Sequence, residues 1–247
     1  MSNIDDWART TFTAAGITHE VYRRGEGPGV VVVHEIPGIT PAVLAFADEV
    51  VAAGFTVVMP SLVGTPGRDV SGPYLATSMV RVCVSAEFTS WATGATSPIV
   101  GWLRALARWL HGEVGGVGVG AVGMCFSGGF ALGMMVDDLM VAPVLSQPSL
   151  PFAVGARRSS DLGLSPDDSI VVRRRASEGC AVLGLRFTGD RLVGERFAAL
   201  RDLLGDSFVA VEFPSPRRSA HSVLTEDRVA VGVDRVIEFL RARLVDR

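Results

Sequence analysis

Cys125 stands in Gly123-Met124-Cys125-Phe126-Ser127-Gly128-Gly129, inside the stretch 117–136, which opens as an apolar, glycine-spaced run and ends as helix formers. An apolar strand, a sharp turn of small residues and an apolar helix form a nucleophile elbow, a layout that lifts one side chain off the end of a sheet. Small neighbours let strand and helix approach closely. A sulfur at that turn lies near the first N–H groups of the helix, whose partial positive charge favours the thiolate, the nucleophilic form. A cysteine by itself is most often a small core hydrophobe; the flanking pattern singles this one out. A second register remains, since residues 125–129 nearly read Gly-x-Ser-x-Gly with Ser127 as nucleophile and Cys125 in the first glycine's place. Gly123, in the tight position before the cysteine, favours Cys125.

Further polar groups stand at the ends of apolar runs. Glu35 follows the run 29–34, Asp190 the run 181–187, and His221 the run 208–213. Taken singly, each has a plain structural role: Asp190 as a helix N-cap, Glu35 as a loop carboxylate, His221 as a surface or core histidine. In an open α/β sheet, however, sites form beyond the carboxyl ends of the strands, where these groups converge. Nucleophile, acid, histidine is the chain order of the α/β-hydrolases.

The elements that position them read as follows. Residues 20–24 suggest an early edge strand, and 29–34 a strand buried on both faces of a parallel sheet. Thr40-Pro41 opens a helix with a capping hydroxyl and a first-turn proline; Val43, Phe46, Ala47, Val50 and Val51 share one face. Gly54 ends it, and 55–59 is the next strand, completing a βαβ unit. The segment 60–96 reads as irregular, part of a substrate-binding wall or lid. Ser97-Pro98 repeats the cap-plus-proline start, with Ile99, Trp102, Leu103, Leu106, Trp109 and Leu110 as one core-facing stripe. A strand over 140–145 and an irregular stretch over 146–164 follow the elbow. Ser165-Pro166 then opens a helix through Arg173-Arg174-Arg175, an arginine run expected on a solvated face. Val193, Phe197, Leu200 and Leu203 mark a helix between the strands 181–187 and 208–213. Residues 226–243 form a terminal helix with Val229, Val233, Val236, Ile237 and Leu240 inward. Alternating strands and helices mean a doubly wound, mostly parallel α/β sheet with helices on both faces.

The whole-chain properties narrow the function. The 247 residues suit one α/β domain with a large core, and 61–96 contributes to its pocket. A net charge of −3 without a basic patch excludes nucleic acid as the expected partner. All 23 basic residues are arginine, which excludes a Schiff-base lysine. Cys83, Cys125 and Cys180 are odd in number and not at metal-ligand spacing, as in a reducing cytoplasm. The N-terminus lacks the pattern of a signal peptide, and the apolar run around Cys125 is too short and glycine-rich for a membrane span.

These residues carry a resemblance to the dienelactone hydrolase family of α/β-hydrolases. The matching pieces are His34-Glu35-Ile36-Pro37-Gly38, Met59-Pro60, the elbow 123–129, Gly189-Asp190 and Ala220-His221-Ser222. The resemblance implies a Cys125–His221–Asp190 triad, with Glu35 contacting the cysteine and helping to deprotonate it when substrate arrives. The family's elbow commonly has glycine where this chain has Ser127. Family members acting on dienelactone hold its carboxylate with two arginines. One matches Arg81, while the other position holds Thr225, which points to a less acidic ester or lactone. The expected reaction is cysteine-dependent hydrolysis of a small ester or lactone through a thioester, with the N–H groups of Ile36 and Phe126 holding the oxyanion. It requires no metal or organic cofactor. The expected state is a cytoplasmic monomer or small homo-oligomer. A ligand-binding protein on the same fold and an acyltransferase using the same nucleophile remain as alternatives.

Overall fold

The computed structural model describes residues 3–245. Its frame is a sheet of eight strands: β1 (Ala8–Ala14), β2 (Ile17–Arg24), β3 (Gly29–Val33), β4 (Thr56–Ser61), β5 (Val119–Met124), β6 (Met140–Ser146), β7 (Val182–Phe187) and β8 (Phe208–Phe213). They lie in the order β1-β2-β4-β3-β5-β6-β7-β8. The pairs β1–β2 and β2–β4 are antiparallel. From β4 to β8 every pair is parallel.

Residue alternation sorts the core into two layers. Val30, Val32, Val57 and Met59 point to one face, Val31, Val33 and Val58 to the other, as the period of two in a strand requires. On the first face pack α1 (Pro41–Ala52), through Val43, Phe46 and Val50, and α8 (Ala230–Leu244), through Val233, Val236 and Leu240. The second is covered by α3 (Pro98–Val114), α4 (Gly128–Met134), α6 (Pro166–Ser177) and α7 (Arg196–Leu204). Since both faces of β3 are covered, all five of its residues are buried.

The helix starts are set by their caps. Thr40 Oγ1 accepts the Val43 N–H at 3.3 Å, and Ser165 Oγ accepts that of Asp168 at 3.1 Å. The Ser97 hydroxyl does not cap α3; it donates instead to the Phe88 carbonyl at 2.6 Å, tying the preceding loop down.

Five expectations need correction. The edge strand is β1, and the stretch around 20–24 is the longer, inner β2. β1 escapes a hydropathy reading because its first four residues are exposed and it turns back through Ala15 and Gly16, both at positive φ. Inside 60–96 lies a helix, α2 (Gly72–Val84), whose buried side is only Tyr74, Ser78 and Val82. Inside 146–164 there is a single short turn of helix, α5 (Ala156–Ser159). Arg175 is not solvated. It is buried, and its guanidinium donates to the carbonyls of Met135 (2.6 Å), Asp137 (2.6 Å), Met140 (2.9 Å) and Asp138 (3.1 Å). Finally, α8 starts at Ala230, because residues 222–229 are used in the turns that hold His221.

Candidate active site

The site grows from the end of β5. Cys125 follows Met124 at φ +55°, in a region that L-residues avoid and that costs about 1–3 kcal/mol when the surroundings enforce it. The enforcement is visible. A Cβ on Gly123 would lie 2.3 Å from the Ser127 carbonyl oxygen, and one on Gly128 would lie 2.7 Å from Pro148 Cα. Only glycine permits the strand, the turn and the β6 loop to approach so closely. Cys125 is 9% exposed, at the border of burial. Its carbonyl accepts the Ser149 N–H at 3.0 Å, and its sulfur lies 3.3 Å from Ser149 Oγ.

Ser127, the other nucleophile candidate, is fully buried. Its hydroxyl accepts the Met124 N–H at 2.9 Å and lies 2.9 Å from the carbonyl oxygens of Val33 and Met124 and 3.1 Å from that of His34. A hydroxyl so engaged has no free approach to a substrate. It ties the elbow to the end of β3.

His221 and Asp190 meet across the loops after β8 and β7. His221 Nδ1 stands 2.6 Å from Asp190 Oδ2, and that carboxylate is 3% exposed. Asp190 Oδ1 accepts the Leu192 N–H at 3.0 Å, so the helix-cap use and the histidine contact coexist. The His221 N–H donates to Asp227 Oδ2 at 2.8 Å, and Asp227 is in turn held by Arg217. The ring's Nε2 is buried and bonded to no nitrogen or oxygen. The group it faces is Cys125. Burial opposes protonation of the ring, but charge on Cys125 and the hydrogen bonds to Asp190 and Cys125 outweigh it and push the imidazole up to about 11.

Glu35 enters from the loop after β3 and is 2% exposed. Its oxygens are taken by the hydroxyls of Thr225 and Ser222 (2.7 Å) and by Gln147 Nε2 (3.3 Å), not by the sulfur. Burial pushes its carboxyl above the ordinary range, against the pull of those hydroxyls and of His221. Thr225, where the family has an arginine, thus supports Glu35. Next door, His34 is fully buried. Its Nδ1 lies 2.7 Å from the Glu35 carbonyl oxygen, and its Nε2 accepts the Leu62 N–H at 3.0 Å. Burial lowers its pKa to about 4, so it is a neutral brace between the loops after β3 and β4.

Ile36 follows Glu35, and Phe126 follows Cys125 in the one-turn helix Cys125–Ser127. Arg81 is the one sequence-derived residue set apart: it is exposed on α2 and bonds to none of these groups. Sequence reasoning gave no site role to Ser149, Gln147 or Ser222, and marked Thr225 only as the place of a missing arginine, not as a partner of Glu35. For Gln147 a signal existed, since it is a polar residue at the end of an apolar strand, the same pattern that marks Glu35. Among the described residues no group of three or more His, Cys, Asp or Glu could hold a metal ion, and no helix is long and apolar enough to cross a membrane.

The mostly parallel sheet with its antiparallel start, layered by helices and carrying a cysteine elbow, defines an α/β-hydrolase fold. The family model of the dienelactone hydrolase family matches residues 15–147, and the chain belongs to that family. It is a hydrolase acting on carboxylic ester bonds. Solved structures share the fold. A dienelactone hydrolase from Anabaena variabilis is 15% identical with a TM-score of 0.65, over 96% of this chain and 98% of that one. A cold-adapted esterase from an Arctic intertidal metagenomic library, in its zinc-bound structure, is 18% identical with a TM-score of 0.61, over 94% and 92%. The thioesterase domain from the curacin biosynthetic pathway is 11% identical with a TM-score of 0.59, over 94% and 99%. No curated protein sequence matches the chain.

Proposed function

We propose that this protein hydrolyses a small ester or lactone with Cys125 as nucleophile, His221 as acid and base, and Asp190 as the group that orients the ring. The observation that supports this most directly is the buried His221 Nε2, bonded to no nitrogen or oxygen and facing a cysteine held at positive φ. The thiolate attacks the carbonyl carbon and a C–S bond forms. The oxyanion rests on the N–H groups of Phe126 and Ile36, where loss of one donor costs roughly a hundredfold or more in rate. The carbonyl re-forms, the C–O bond to the leaving group breaks, and the imidazolium gives that oxygen its proton.

Acylation also resets the histidine. Charge on Cys125 is the largest influence raising the ring's pKa, and a thioester sulfur carries none. Without that charge the ring's pKa falls, so the imidazole that has given its proton to the leaving group stays neutral and can take one from water, whose oxygen attacks the thioester and releases the acid and the thiolate. Glu35, in its cage of hydroxyls, is a positioning group, and Arg81, exposed on α2, meets only a substrate that extends to that helix.

The test is esterase activity on 4-nitrophenyl butanoate. Cys125→Ala is expected to lose at least roughly a thousandfold in kcat, while Ser127→Ala keeps measurable turnover. Full activity in Cys125→Ala would overturn the reading. Arg81→Ala, assayed on ester pairs with and without a carboxylate, reports on the α2 contact through KM.

A further inference from the structure

On the same side of the sheet as Asp190 and His221 lies an open cleft of about 470 Å³, lined by Gly189, Arg191, Ser215, Arg217 and Arg218. Three arginines line it and no acidic residue does, in a chain whose net charge is −3. The nearby acids are committed elsewhere: Asp190 is buried against His221, and Asp227 is buried and held by Arg217. Arg217 also bonds Ser219, at 3.2 Å. Arg191 and Arg218 are exposed and, among the described residues, have neither an ion pair nor a hydrogen bond from the guanidinium. The wall between them is built. Gly189 N–H donates to Ser215 Oγ at 2.8 Å, and a Cβ at 189 would itself come within 2.8 Å of that oxygen. The Ser215 oxygen is therefore the acceptor in that bond, and its own O–H remains free to donate into the cleft.

We propose that this cleft binds a phosphate monoester carried by the substrate, remote from the ester carbonyl. Two unpaired guanidinium forks and one hydroxyl donor match a dianion with three acceptor oxygens better than a carboxylate with two. Arg191 directly follows Asp190 and Arg218 precedes His221 by three residues, so the loops that carry the acid and the histidine also carry the cleft, and the phosphate is assigned to the substrate on that ground. The assignment of the phosphate to a substrate rests on the catalytic reading of Asp190 and His221; the cleft's affinity for phosphate does not.

Two measurements on the full chain test it. The first is titration of inorganic phosphate and, separately, succinate by calorimetry. Saturable phosphate binding, tighter than succinate binding and weakened at least tenfold in Arg191→Gln/Arg218→Gln, is expected. Absence of phosphate binding, or equal binding in the double variant, overturns the proposal, and succinate binding as tightly as phosphate overturns the phosphate assignment. The second is the ratio of kcat/KM for phenyl butanoate carrying a para phosphate to that for phenyl butanoate. A ratio of at least ten, lying in KM and falling toward one in the double variant, is expected. The same ratio in both proteins overturns the substrate role. If neither ester is turned over by the wild type, the catalytic reading has failed, and the titration alone then decides whether the cleft is a phosphate site. Arg217 stays unchanged throughout, because it braces Asp227 and through it the backbone of His221.

Discussion

The turn at Cys125 is held by what its neighbours lack. A methyl group on Gly123 would have to displace the Ser127 carbonyl, 2.3 Å from its ideal position. Gly123→Ala is therefore expected to cost at least about 1–3 kcal/mol of stability, seen as a lower urea midpoint, together with a loss of activity as the elbow shifts. Ser127 separates two properties that the sequence leaves entangled. Its hydroxyl serves backbone groups of both β3 and β5. Ser127→Ala should lose about 1–3 kcal/mol because buried polar groups go unpaired, while the chemistry persists. The elbow was legible in sequence because glycine spacing and an apolar run have mechanical meaning. Ser149, one hydroxyl away from the sulfur, was not, since nothing in 146–164 marks which of its serines turns back toward β5.

At the level of elements, two buried arginines organise the irregular parts of the chain. Arg175, on α6, gathers four carbonyls from the turn between α4 and β6. A cation there also faces the C-terminal end of α4, where the helix dipole welcomes it. Arg196, at the start of α7, donates to the carbonyls of Asp161 (3.0 Å), Arg158 (2.9 Å) and Val193 (2.9 Å), and to that of Pro151. Burial lowers its pKa to about 10, so it stays charged at neutral pH. Replacing Arg175 with Met strands those carbonyls and is expected to cost about 3 kcal/mol, read as a fall in Tm. The starts of the helices with wide apolar stripes, α1 and α3, were legible from Thr40-Pro41 and Ser97-Pro98. α2 was not, because three inward positions do not distinguish it from a loop. Arg175 misled for a related reason: composition cannot say which of three consecutive arginines turns inward.

For the molecule as a whole, two adjacent residues titrate in opposite senses. His34 has a folded pKa of about 4 against an ordinary 6.5. Its contribution to stability is present above pH 6.5 and is lost as pH falls toward 4, an effect of about 3 kcal/mol. Glu35 has a raised carboxyl. Its contribution is full below its ordinary value of 4.5 and is lost as pH rises through the raised one. Urea unfolding from pH 4 to 8 is expected to show a flatter acid limb in His34→Gln than in the wild type. Glu35→Gln is expected to gain on the wild type as pH rises. An acid limb unchanged in His34→Gln would remove His34 from this account. The sheet's alternation carried most of the architecture into the sequence, since a strand buried on both faces leaves an unbroken valine run. The order of the first two strands was hidden, because an exposed antiparallel edge follows no such rule.

The Ser127 hydroxyl rivets the turn that carries the sulfur to the strand end that carries Glu35. Those two walls of the reaction chamber therefore travel as one body. The coils after β6 and β8 are clamped to the same body, through Ser149 on Cys125 and through Gln147, Ser222 and Thr225 on Glu35, so any widening needed to admit a bulkier acid or alcohol falls to segments outside all four.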